Sequence, residues 1–179
     1  MLYILAGVCA VLFLVADQLT KAYFVGAFAL GESKTVIDGV LNFTYVHNDG
    51  GAWGLMSGHT WLLLGLTALI MIVCVAMLMK NGFKSKTLFW AICLILSGGI
   101  GNMIDRIFRG GDVVDFIQVT FIDFPVFNIA DCAVCIGAGL LILYFILDMM
   151  KERRLHKAQE PPVYHPTAEA EPEGGESDR

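Results

Sequence analysis

The feature that most constrains this chain is a set of four apolar blocks, each long enough to cross a bilayer as a helix. A helical span needs about 20 mostly apolar residues, and we place spans at about residues 3–25, 60–80, 87–105 and 128–150. The chain is 56% hydrophobic and only 16% charged, whereas roughly a quarter of a soluble domain is charged. The sequence therefore predicts an α-helical integral membrane protein with four transmembrane helices.

The first block could be mistaken for the apolar core of a secretory signal peptide. The run from Leu2 to Ala16 has no basic residues before it, and its helical pattern continues through Lys21 to Phe24 without a convincing cleavage site. We therefore expect it to be retained as the first transmembrane helix.

Two polar segments between the blocks have the pattern of strands. In the segment 26–58, Asp38-Gly39 lies inside a short apolar stretch and favours a tight hairpin over residues 35–41. Residues 113–124 are rich in β-branched and aromatic side chains, which favours one or two further short strands. The predicted fold is thus four transmembrane helices with a small external β-sheet element.

Charge separates the chain into a neutral body and an acidic tail. The net charge of −5 comes from residues 158–179, which we expect to be a disordered cytoplasmic tail outside a membrane domain of residues 1–157. Within the body, Lys and Arg concentrate in residues 80–86 and 151–157. The positive-inside rule then places both termini in the cytoplasm and the opposite polar segments at the external face. No basic patch suggests a nucleic-acid partner.

The stretch from Gly98 to Asp131 gathers an unusual number of polar residues for so apolar a chain. The sequence contains no Ser–His or Cys–His arrangement of the triad type and no HExxH motif. Paired carboxyl groups remain, since two close carboxyls share one proton and have pKa values pushed apart. The ionised partner can activate water while the protonated one polarises a carbonyl. This chemistry hydrolyses amides, and it leads us to expect no metal and no cofactor.

Spacing alone leaves four aspartates as candidates for such a pair: Asp105, Asp112, Asp115 and Asp131. Asp131 follows Asn128 at the spacing of a helix N-cap and its N3 acid, so it has a purely structural interpretation. Asp115 is harder to explain structurally because its neighbours along the chain are apolar.

Other reactive residue types have simpler explanations. The five cysteines all lie in apolar blocks and are expected to be buried packing residues. Cys132 and Cys135 form a CxxC motif, but no second pair or nearby histidine completes a metal site. His47 lies in a predicted strand without a nucleophile beside it, and we interpret it as a polar strand residue.

Five motifs, taken in order, resemble those of the lipoprotein signal peptidases, also called signal peptidase II. They are DQLTK at 17–21, NDGGAWG at 48–54, GGIGNMIDR at 98–106, VVDF at 113–116 and FNIAD at 127–131. The resemblance covers about residues 1–155. It implies an aspartyl peptidase of the bacterial inner membrane that removes signal peptides from diacylglyceryl-modified prolipoproteins, cleaving on the amino side of the lipidated cysteine. The implied partners are these precursors and membrane lipids, and we expect a monomer.

The resemblance also assigns residues. It implies Asp115 and Asp131 as the catalytic pair. It implies supporting or substrate-binding roles for Asp17, Lys21, Asn48, Gly50, Asn102, Asp105, Arg106 and Asn128. The chain departs from the family pattern at Gly51, where alanine is common, and at Cys132, where serine is common.

Two other classes of function are compatible with charges inside a membrane. A small ion-coupled transporter also needs intramembrane Asp and Arg residues, but the charges here cluster at one face and no internal repeat suggests alternating access. A non-catalytic scaffold would leave the aspartates unexplained.

A further hypothesis concerns residues 107–127, which would form a lid over the site with Gly110-Gly111 as its hinge.

Overall fold

The computed structural model describes residues 1–54, 56–81 and 85–159. Four long helices dominate this part of the chain. They are α1 (Leu2–Ala27), α2 (Thr60–Asn81), α3 (Lys86–Phe108) and α4 (Ile129–Gln159). By length and composition, all four are apolar and long enough to cross a membrane. The predicted four-helix membrane fold is confirmed.

The small sheet predicted beside the helices is also present. Strands β1 (Ser33–Ile37), β2 (Leu41–Asn48) and β3 (Val113–Val119) form an antiparallel sheet in the order β1-β2-β3. The β1–β2 hairpin turns at the predicted position, where Gly39 adopts a φ of 68° that glycine tolerates without strain. The strand pattern of 113–124 yields one strand, which ends at Val119 and is followed by a turn.

An aromatic cluster attaches the sheet to the first helix. The ring of Phe24, near the end of α1, stacks on Phe116 of β3 with a centroid distance of 4.3 Å. Tyr45 and Val114 are buried in the same cluster. Because Phe116 directly follows Asp115 in β3, this packing fixes the position of the Asp115 backbone relative to α1.

Helix α3 is the most buried of the four helices, and it packs against α1 and α2. Its contact with α4 depends on glycine at position 98, which has no side chain. A Cβ atom added to Gly98 would lie 2.2 Å from the carbonyl oxygen of Ala130 and 2.7 Å from Val134 Cγ2. Small residues permit this close approach of backbones, and the approach brings the start of α4 beside the polar end of α3.

Helix α4 extends further than the apolar pattern suggested. It continues to Gln159, because the basic residues after its apolar part are good helix formers and no Pro or Gly interrupts them. The chain divides into two compact units, Met1–Ile146 and Leu147–Arg179, and the second contains the C-terminal part of α4. Residues 160–179, most of the predicted tail, lie outside the described residues.

Candidate active site

Asp115 is presented by β3 and is almost fully buried, with 1% of its surface exposed. The alternation of a strand turns its side chain to the opposite face from its neighbours Val114 and Phe116. Its Oδ2 accepts a hydrogen bond of 2.8 Å from Asn48 Nδ2, and its Oδ1 accepts one of 2.6 Å from Asn128 Nδ2. Two amides thus hold both oxygens of this carboxyl group.

Asp131 lies in the first turn of α4, where the predicted capping arrangement is present. Its backbone N–H donates to Asn128 Oδ1 at 2.9 Å, and its own Oδ2 accepts from the Asn128 backbone N–H at 3.1 Å. This reciprocal pair is a capping box. The remaining oxygen, Oδ1, accepts a 2.7 Å hydrogen bond from Asn102 Nδ2. Asp131 therefore has the predicted structural role as an acid that caps α4. In this position its carboxyl group also faces a cavity.

Asn128 connects the two aspartates directly. Its side-chain amide donates to Asp115 while its backbone N–H donates to Asp131. The Asn128 side chain is fully buried, and its Nδ2 also lies within hydrogen-bond distance of Asn102 Oδ1 at 3.1 Å. Since its Oδ1 is occupied as the helix cap, the orientation of the amide is fixed. One residue thereby sets the geometry of both carboxyl groups.

Behind the pair lies a buried charge network centred on Lys21. This lysine is fully buried and forms ion pairs with Asp17 Oδ2 at 2.9 Å and with Asp105 Oδ2 at 3.1 Å. Its third donor goes to Asn102 Oδ1 at 2.9 Å. Lysine can only donate, so it fixes the Asn102 amide with its oxygen toward Lys21 and its nitrogen toward Asp131.

The two acids of this network also fasten backbone segments. Asp17 Oδ1 accepts a 2.9 Å hydrogen bond from the backbone N–H of Ala130 in the first turn of α4. Asp105 Oδ2 accepts one of 3.1 Å from the backbone N–H of Val114. The supporting acids therefore place the elements that carry the two candidate catalytic aspartates.

Asn48 is the last residue of β2, and the loop that follows orients its side chain. Gly50 N–H donates to Asn48 Oδ1 at 3.1 Å, which leaves Asn48 Nδ2 to donate to Asp115. A Cβ on Gly50 would lie 2.8 Å from both Gly54 Cα and Ser57 N. Glycine at this position is a packing requirement for the loop.

Both aspartates face a cavity of about 430 Å³. Asn102 and Arg106 of α3 also line it, and most of the remaining wall is apolar. The loop residue Trp53, at a positive φ of 55°, meets Phe124 edge to face across the cavity wall with ring centroids 5.8 Å apart. The sequence motifs indicate no role for either aromatic residue, although Trp53 belongs to the NDGGAWG motif.

The expectation that all five cysteines are buried packing residues is wrong. Cys74 alone among the five cysteines is fully buried, and all five are free. Cys132 and Cys135 are not interior packing residues, because the start of α4 turns them toward the cavity wall. Asp112 does not join the carboxyl pair. It accepts from His47 at 3.2 Å on the outer side of the sheet, as the polar strand interpretation of His47 allows.

Charge and burial at the pair favour one bound proton. Burial, and after it the nearby charge of Asp131, raise the pKa of Asp115 to about 7, although the Asn48 and Asn128 hydrogen bonds and the Lys21 charge oppose the shift. Around the candidate site, four carboxyl groups lie near three cations. They are Asp17, Asp105, Asp115 and Asp131 against Lys21, Arg106 and Arg109. One proton on the pair therefore balances the site.

No group of three or more His, Cys, Asp or Glu side chains in the part of the chain that the structure describes is arranged to hold a metal ion. The polar groups of the cavity are instead carboxyls, amides and one guanidinium. Such a set can bind and polarise an amide and can transfer protons to and from it.

The fold and the cavity define a multi-pass membrane protein with a buried pair of carboxyl groups. A sequence model of the family described as signal peptidase (SPase) II matches residues 9–147. The chain belongs to this family.

Curated relatives agree with this assignment. The lipoprotein signal peptidase of Bacillus pumilus is 42% identical over 139 residues, covering 76% of this chain and 89% of the relative. That of Halalkalibacterium halodurans is 40% identical over 150 residues, covering 82% and 95%. A solved bacterial membrane enzyme, determined by the in meso method at 2.3 Å, aligns with a TM-score of 0.77 and 35% identity over 90% of this chain and 94% of that chain. A second, determined by the same method at 1.9 Å, has a TM-score of 0.71 and 37% identity over 80% and 91%.

Proposed function

We propose that the chain is an aspartic endopeptidase that removes signal peptides from diacylglyceryl-modified prolipoproteins, cleaving on the amino side of the lipidated cysteine. Family membership and the names of the relatives support the substrate class. The observation that carries the mechanism is the bridge made by Asn128, which donates to both Asp115 and Asp131 beside one cavity.

In the proposed reaction Asp131 is the base and Asp115 the acid. Both Asp131 oxygens accept hydrogen bonds, one of them from the amide that Lys21 orients, and the carboxylate lies at the positive end of α4. These contacts favour its ionised form and oppose the effect of its burial. Asp115 lies in an apolar strand, and its pKa is raised to about 7, chiefly by burial, so this carboxyl group is about half protonated at neutral pH.

The chemistry then follows in two steps. Asp131 removes a proton from a water molecule, whose oxygen adds to the carbon of the scissile amide while Asp115 polarises the amide oxygen. The C–N bond breaks as Asp115 delivers its proton to the leaving nitrogen, and the carbonyl re-forms as the new carboxyl group. General acid–base catalysis of this kind contributes about 10²–10⁴-fold to a rate.

The apolar cavity wall suits the signal peptide and the acyl chains of such a substrate. We place both termini in the cytoplasm and the site at the external face of the bacterial inner membrane. The support is the distribution of basic residues along the sequence: Lys and Arg concentrate at 80–86 and 151–157, after the second and fourth predicted spans, whereas Asp115 follows the third span and Asp131 lies at the start of the fourth.

A cleavage assay with purified protein tests the proposal. A precursor peptide is supplied with and without the diacylglyceryl group, and the variants Asp115→Asn and Asp131→Asn are compared with Asp112→Asn as a matched control. Only the lipidated precursor should be cut. Each variant of the pair should lose at least about 10²-fold in kcat, while the control should retain activity because Asp112 bonds to His47 outside the cavity. Near-normal cleavage by either variant of the pair would refute the assignment.

A further inference from the structure

Arg106 is a buried cation whose hydrogen-bonding capacity the fold leaves partly unused. Only 9% of its surface is exposed, and its side chain lines the cavity together with Asp115 and Asp131. Its Nε is buried and has no hydrogen-bond partner among the described residues. A buried donor without a partner costs about 1–3 kcal/mol, and more when it is charged, so a folded protein seldom retains one without a reason.

The other cations near the site are bound by the fold. Lys21 is held by two ion pairs and an amide, and Arg109 pairs with Asp105 at 3.2 Å. Arg106 attracts Asp131 and Asp115 by its charge, but the ion pairs of the described residues are formed by Lys21, Lys34, His47 and Arg109. Attraction without directional bonds keeps the guanidinium near the pair and leaves its donors available to a ligand.

The chemistry of the cavity identifies the group this cation would meet. Asn102 lies one helical turn before Arg106 on α3, and its amide donor is already used by Asp131. The amides of Asn48 and Asn128 are used by Asp115. Arg106 is therefore the strongest donor at the cavity that is still unoccupied. A neutral apolar ligand would not use it, whereas an oxygen that develops negative charge would.

We propose that the Arg106 guanidinium is a catalytic group that donates a hydrogen bond to the scissile carbonyl oxygen and stabilises the negative charge that forms there. This inference rests on the proposed peptidase function. As the water oxygen bonds to the carbonyl carbon, the electron pair of the C=O double bond moves onto oxygen. Arg106 holds that charge until the C–N bond breaks, which leaves the proton of Asp115 for the leaving nitrogen. Donors of this kind act mainly in the transition state.

The test measures kcat and KM of variants on the lipidated precursor. Arg106→Met removes the donors, Arg106→Lys keeps the charge but not the planar set of donors, and Arg106→Ala leaves room for added guanidinium ion. Lys34→Met is the control, since it removes a cation that pairs with Glu32 and does not line the cavity.

We expect Arg106→Met to lose about 10²–10³-fold in kcat with KM changed by less than about threefold. Arg106→Lys should lie between this variant and the wild type and should melt like the wild type. Guanidinium ion should raise the kcat of Arg106→Ala and leave Lys34→Met unaffected. A residue with only a structural role would not give this rescue.

Two kinds of failure are distinguishable. If wild type cleaves the lipidated precursor and both aspartate variants are inactive, but Arg106→Met and Arg106→Lys keep kcat within about threefold, this inference is wrong and the peptidase proposal stands. A rise in KM at constant kcat would also overturn it, because it would indicate binding of the ground state. If wild type does not cleave the precursor, the peptidase proposal itself fails.

Discussion

Replacing Lys21 with methionine removes the cation at the centre of the site while nearly keeping its volume. Lys21 is fully buried and contacts two carboxylates and one amide. The substitution leaves Asp17 buried without its cation, and it leaves Asp105 with its 3.2 Å ion pair to Arg109 alone. It also removes the charged one of the two donors to the Asn102 oxygen, Lys21 and the Asn128 amide, and so weakens the orientation in which the Asn102 nitrogen faces Asp131.

The contacts set the size of the effect. Removing one partner of a buried ion pair costs about 3–5 kcal/mol, because the other charge remains buried and unpaired. For a chain of this size about 1 kcal/mol shifts the melting temperature by 2–4 °C. We therefore expect the melting temperature of Lys21→Met to fall by roughly 6–20 °C. We also expect kcat to fall by about 10²-fold through misplacement of Asp131.

A thermal melt of the detergent-solubilised protein and the cleavage assay measure both effects. The double variant Lys21→Met with Asp17→Asn provides the internal control, because it removes the buried carboxylate that has lost its cation. It should recover roughly 1–3 kcal/mol of the loss. If Lys21→Met melts within about 2 °C of wild type, or if the double variant is no more stable than the single one, the description of a buried, mutually dependent charge network is wrong.

Two further predictions follow from the pKa of Asp115 and from helix packing. Because its pKa is raised, Asp115 keeps its proton up to pH about 7, so kcat/KM should fall above that pH by about tenfold per pH unit. Asn48→Ala removes a hydrogen bond that lowers the pKa of Asp115, and it should move the alkaline limb of the pH–rate profile to higher pH. An alkaline limb that does not move in this variant would argue against Asp115 as the acid. Gly98→Ala places a Cβ 2.2 Å from the Ala130 carbonyl oxygen, whereas a Cβ at Gly139 meets nothing within 4 Å. In a thermal melt Gly98→Ala should be less stable than the wild type by about 1–3 kcal/mol, and it should be less active because the start of α4 shifts. The control Gly139→Ala should change neither stability nor activity.

Several parts of the site were readable from local sequence. The spacing of Asn128 and Asp131 predicted a capping box, which depends only on backbone geometry within one helical turn and is present. Asp38-Gly39 predicted the hairpin for the same local reason. The motif resemblance added the list of polar residues, but it carried no information about which atoms they would bond.

Distant contacts determined the rest. Asp17 caps the first turn of α4, although 113 positions separate it from Ala130. No periodicity encodes this partner, because it exists only where α1, α3 and α4 meet. The same convergence turns Cys132 and Cys135 toward the cavity, where the apolar pattern suggested interior packing.

Four spans and a small sheet follow from local sequence, because the bilayer requires long apolar helices and because alternation and turn residues act over a few positions. The residue types that can do the chemistry are also visible there. The protonation and hydrogen bonding of each group depend instead on how the chain packs. Burial and neighbouring charge raise the pKa of Asp115, two amides fix the oxygens of the carboxyl pair, and Arg106 retains an unpaired donor. These properties depend on the low dielectric and the fixed dipoles that surround a group, and packing of distant segments creates both.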